Sequence, residues 1–167
     1  MWSWFLDLQD MCNCDSIQAT DAAALETEIR ELIASFDELR RSSPGTADEA
    51  ATDPLWNGTF HRILGACLHL AGKHDEAIEV LQFAVAEDPH DLHHVEELVI
   101  TCLRCGRFGV AAEAVNCLTR EQIEMEHDST ARKFMKWSGE YPEFLDKLNG
   151  EQVQMLVQVI AKYAGDS

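Results

Sequence analysis

The chain has 167 residues, 46% of them hydrophobic and 8% aromatic, with a formal net charge of −17. That length suits one domain with a continuous core, while the acidity repels nucleic acid, whose binding needs clustered Lys and Arg, and anionic membrane surfaces. The charge is −9 before Gly58 and −8 from there on, so it belongs to the whole surface and favours solubility and basic partners.

Residues 1–19 read as an apolar N-terminal arm carrying Trp2, Trp4, Phe5, Leu8 and Met11. The arm lacks the cationic start of a secretory signal and contains Asp7 and Asp10. Large apolar side chains lose about 1.5–3 kcal/mol each if left in water, so the arm is expected to dock on its own chain or on a second copy as a homodimer contact. With no export signal, the six cysteines are expected to stay reduced in a cytoplasm. No apolar run approaches the roughly 20 residues of a membrane span. Residues 20–41 form a capping helix: Thr20 or Asp21 can cap it, and Ala22, Leu25, Ile29, Leu32, Ile33, Phe36 and Leu39 recur at steps of three and four. The segment 42–54, SSPGTADEAATDP, is small, polar and proline-flanked, as in an exposed, flexible loop.

From residue 55 to 167 the pattern is helical throughout. A helix from Leu55 to Leu70 meets Gly72, which supplies a turn, and a second runs from Asp75 to Glu87 until Pro89 ends it. Gly65 and Ala77 are small where the two helices must approach, and Leu64, Leu68, Leu81 and Val85 fill the space between them. The pattern then recurs. Helices at Leu92–Cys105 and Val110–Leu118 flank Gly106, which lies 34 residues after Gly72, and Ala111 lies 34 after Ala77. Ile123 stands where a closing proline would be, so the chain is expected to drift or end its helix irregularly there. Gly139, Tyr141 and Pro142 suggest a degenerate third unit, with Phe144 in place of the alanine and Asn149-Gly150 breaking its second helix. Glu151–Ala164 reads as a terminal helix that closes the stack.

Leu64-Gly65-x2-Leu68, Gly72, Ala77, Leu81, Ala84 and Pro89, repeated in part at Gly106 and Ala111, resemble the tetratricopeptide repeat, a 34-residue helix-turn-helix unit. The resemblance covers about Leu55 to Leu118 and implies an all-α fold: a short α-α superhelix of two clear units and one degenerate one, capped at both ends. Similar chains mostly bind a partner's peptide or helix in a groove lined by the first helix of each pair. Carried over to this chain, the groove residues are Arg62, Ile63, Ala66, His69 and Leu70 from the first unit and His93, Glu97, Ile100, Leu103 and Arg104 from the second. Relatives that clamp a C-terminal carboxylate use Lys, Arg and Asn on this face. Ala66 and Glu97 stand in two of those places, which argues against that activity. The apolar strip Ile63, Ala66, Leu70, Ile100 and Leu103 suits an amphipathic or basic segment of another protein, unless the chain's own helices cover it. Small size, acidity and tandem repeats are also similar in kind to type III secretion chaperones, so a chaperone or adaptor is the narrower expectation.

The competing chemistry is a zinc or thiol protein. Cys12-x-Cys14 with Cys102-x2-Cys105 would offer four thiolates. Against it, Cys102 matches the core position held by Leu68 in the first unit. His90, His93 and His94 could attract a transition metal, but such residues are more often solvated at a loop, and that is the reading preferred for them. There is no phosphate-binding glycine loop, nucleophile elbow or HExxH, so neither an enzyme nor a cofactor is expected.

Overall fold

The computed structural model of the chain describes residues 22–42, 54–125 and 127–164. The apolar arm 1–19, including Cys12 and Cys14, and the loop between the first two helices lie outside the described residues, so the expected docking of the arm and its homodimer contact are not addressed by them. The described residues are all helical apart from turns, without a strand: α1 (Ala22–Ser42), α2 (Pro54–Leu70), α3 (His74–Glu87), α4 (Leu92–Arg104), α5 (Phe108–Asn116), α6 (Arg120–Met125), α7 (His127–Glu140), α8 (Pro142–Leu145) and α9 (Gly150–Ala164). Among them no helix is long and apolar enough to cross a membrane. The chain divides into two compact units, Met1–Pro89 and His90–Ser167.

The first unit is built on the α2–α3 hairpin. Gly72 has φ 77°, the left-handed conformation that a Cβ disfavours. Its N–H donates to the His69 carbonyl at 3.0 Å and the Lys73 N–H to the Leu68 carbonyl at 2.9 Å. These are the paired bonds of a Schellman turn, which satisfy carbonyls that the end of α2 would otherwise leave open. Close packing then depends on Gly65. A Cβ there would fall on the Leu81 Cγ and 2.6 Å from its Cδ2, so the leucine occupies the room that the missing side chain vacates. On the opposite side of α2, Ala22, Leu25 and Ile29 of α1 join Phe60, Ile63, Ala66 and Cys67 in one buried cluster, with Leu32, Ile33 and Leu70 partly buried against it.

The second unit begins with a hairpin of the same construction. Gly106 has φ 70°; its N–H donates to the Leu103 carbonyl at 3.1 Å and the Arg107 N–H to the Cys102 carbonyl at 2.8 Å. Taken 34 residues apart, Phe60 and His94, Leu64 and Leu98, Cys67 and Thr101, Leu68 and Cys102 are buried in both members. So are Ala77 and Ala111, Ile78 and Ala112, Leu81 and Val115, Ala84 and Leu118. Turn, cap and core therefore all repeat at one spacing.

After α5 the repeat lapses. Where drift was expected, a capping box starts α6: the Gln122 N–H donates to the Thr119 Oγ1 at 3.2 Å and the Thr119 N–H to the Gln122 Oε1 at 2.8 Å. Gly139 lies inside α7 rather than at a turn, and the chain bends instead at Tyr141, with Pro142 opening α8. Phe144 fills the space under this short helix and is 1% exposed. Asn149 caps α9, its Oδ1 accepting from the Gln152 N–H at 2.7 Å. The buried Gln152 amide in turn donates to the Val115 and Leu118 carbonyls at 2.6 and 3.2 Å, tying the start of α9 to the end of α5.

Candidate functional site

The expected groove residues fall into two sets by accessibility. In the first unit Ile63 and Ala66 are 1% and 3% exposed, because α1 lies on that side of α2. Arg62 is buried beside them, while His69 and Leu70, at the end of α2, are half-buried. In the second unit Leu103 is 1% exposed and belongs to the core stripe with Val95, Leu98, Val99 and Cys102, not to an open face. The steps explain it: four residues separate Leu103 from Val99, which returns it to the same side of α4. The remaining four residues, His93, Glu97, Ile100 and Arg104, are spaced four, three and four apart and so share one stripe of α4. His93 and Arg104 are exposed, and Glu97 and Ile100 are half-buried.

The start of α4 is strongly polar. Asp91 caps the helix, its Oδ1 accepting from the His93 N–H at 2.8 Å, and its Oδ2 lies 3.4 Å from Nε2 of the fully buried His94. The His94 ring takes the core place that Phe60 holds in the first hairpin, so packing accounts for it. Glu96, also buried, accepts from Lys133 of α7 at 2.5 Å and lies 3.6 Å from the His93 Nδ1. The histidines expected as a cluster are thus divided between core and surface.

An ionic clasp that sequence reading missed holds α1 down. The Lys73 Nζ donates to both Glu26 carboxylate oxygens, at 2.9 and 3.0 Å, and the Arg30 Nε donates to the same carboxylate at 3.1 Å. Arg30 also bonds Glu76. The Lys73 ammonium, more than the opposing effect of burial, holds the Glu26 carboxyl below its usual value of 4.5, and Glu76 raises the Arg30 guanidinium. Glu26 and Lys73 are 47 residues apart, beyond any local pattern. The sequence signal would have been an acid on the apolar side of α1, among Ala22, Leu25 and Ile29.

Of the cysteines offered as an alternative site, Cys12 and Cys14 lie outside the described residues. Cys102 is fully buried and Cys105 half-buried at the end of α4. Burial pushes the Cys102 thiol up to about 12, with Cys105 adding to the effect, so it is not a thiolate at neutral pH. A further pair, His69 and His74, meets across the first hairpin turn with ring centroids 5.1 Å apart. Comparison with protein-family models, curated proteins and solved structures gives no match.

Proposed function

We propose that the chain is a non-catalytic protein-binding module built on tetratricopeptide-like hairpins, and that the His93, Glu97, Ile100 and Arg104 face of α4 receives an amphipathic helix of another protein. One observation carries this reading. The corresponding face of α2, at Ile63 and Ala66, is covered by an amphipathic helix of the chain itself, α1, whereas Glu97 and Ile100, 34 residues on, stay partly accessible. The first hairpin thus provides a working example of what such a face accepts: apolar side chains at steps of three and four. Buried apolar area around Ile100 would supply affinity, and the flanking charges would set register and speed encounter. An adaptor or chaperone acting in a reducing cytoplasm fits this chemistry, and the reading invokes no cofactor.

The test is a photo-crosslinking amino acid in place of Ile100 in the full-length chain, expressed in its source cells. Adducts mapping by mass spectrometry to an amphipathic helix of a second protein, lost when Glu97→Lys is added, are the expected result. Adducts confined to the chain itself would overturn the reading.

A further inference from the structure

We infer that the first hairpin carries a divalent transition-metal site whose protein ligands are His69 and His74. This goes beyond the binding role of α4 and does not depend on it.

His69 sits in the last turn of α2 and His74 opens α3, so the Schellman turn at Gly72 brings together two imidazoles that no single helix would align. Their rings are tilted by 48° with centroids 5.1 Å apart, and each offers a ring nitrogen within 4.8 Å of the other's. A cation about 2.0–2.1 Å from each nitrogen requires those atoms to lie roughly 3.4 Å apart in tetrahedral geometry. His74 is exposed, so the adjustment the site requires is a change of that side chain's rotamer and not of the backbone.

The hairpin fold does not require imidazoles here. At the matching positions the second hairpin has Leu103 and Phe108, both apolar, around a turn with the same hydrogen bonds. Neutral imidazole is the commonest protein ligand for zinc, copper and nickel. The net charge of −17 raises the local concentration of any divalent cation. Two protein ligands leave coordination positions for water or for further donors, and a bound ion would clamp the end of α2 to the start of α3.

Reduced full-length protein, freed of metal with a chelator, should be titrated with Ni2+ and followed by calorimetry and by proton–nitrogen NMR. One saturable site is expected, with paramagnetic broadening centred on the ring signals of His69 and His74. His69→Gln and His74→Gln should each weaken binding at least tenfold while leaving the circular dichroism of the metal-free protein unchanged. His61→Gln and His93→Gln should bind as the parent does. Broadening centred on His90, His93 or Cys117, or undiminished affinity in the His69→Gln/His74→Gln double variant, would overturn the assignment, as would the lack of any saturable site below about 100 μM, an affinity near −5.5 kcal/mol.

Discussion

Gly65→Ala separates helix propensity from packing, because the two push in opposite directions. Alanine is favoured over glycine in a helix interior by about 1 kcal/mol. Against this, the new Cβ would fall on the Leu81 Cγ and lie 2.6 and 3.1 Å from its two methyl carbons. Those atoms are the branch point and both ends of a side chain that is 0% exposed, so no rotamer simply swings clear. Overpacking of this kind costs about 1–3 kcal/mol, more when a whole side chain must move, and here the clash should prevail, for a net loss of about 1–2 kcal/mol. In a chain of this size that lowers Tm by roughly 2–8 °C. Leu81→Val alone should cost about 0.5–1.5 kcal/mol for the lost carbon. The double variant Gly65→Ala/Leu81→Val keeps the total of side-chain carbons, and it should be more stable than the two losses added together by about 1 kcal/mol or more. Urea melts followed by circular dichroism measure all four corners of the cycle. A neutral or stabilising Gly65→Ala, or strict additivity in the double variant, would refute the claim that the leucine fills the space of the missing Cβ.

Three further predictions follow from other parts of the molecule. Because Glu26 has a folded-state pKa below 4.5, its contribution is fully present above that pH and is lost as pH falls through the folded value, so α1 should lose hydrogen-exchange protection in acid. Lys73→Met, which removes the main cause of the depression, should move that loss to higher pH, and an unchanged profile would refute the clasp. Gln152→Leu removes the side-chain donor that the Leu118 carbonyl shares with the Val115 carbonyl, which keeps the Leu118 N–H, and should cost about 1–3 kcal/mol, read in urea melts and as faster exchange at the ends of α5 and α9. A thiol reagent at pH 7.5 should label exposed Cys117 in the folded protein, and Cys102 only once the protein unfolds; mass spectrometry of the digested protein gives the order.

Local chemistry was legible where it used a residue that little else can replace. Gly72 and Gly106 both adopt positive φ, so turn positions and repeat spacing could be read directly. Gly139 carries the same letter inside a helix, and only the neighbouring Pro142 marked the true bend. The capping box at Thr119 and Gln122 is equally local, and its Thr-x-x-Gln spacing marks the start of α6 even though Ile123 stands where a closing proline would be. Long-range pairings were not legible: Glu26 with Lys73 and Glu96 with Lys133 join different helices. The groove was legible only in part. A helical pattern assigns residues to a side of a helix, and whether that side meets solvent depends on which other helix arrives, as α1 does over Ile63 and Ala66.

The two hairpins agree in their interiors and differ on the face at issue. Turn glycines, close-contact alanines and core positions match, yet Ile63 corresponds to Glu97 and Ala66 to Ile100. A copy of α1 docked on α4 in the same manner would place its apolar Leu25 and Ile29 side against a carboxylate, at a cost in lost hydration. The substitution thus works against occupation of the second face by the chain's own helix while leaving Ile100 as an apolar anchor. On the proposed reading, a helix that fits must set a cation opposite Glu97 and an apolar side chain opposite Ile100, which selects an amphipathic segment bearing Lys or Arg within its apolar stripe. Glu97→Ile should remove that selectivity: it should weaken discrimination between basic and neutral amphipathic helices more than it weakens overall affinity, and an unchanged preference would show that Glu97 takes no part in recognition.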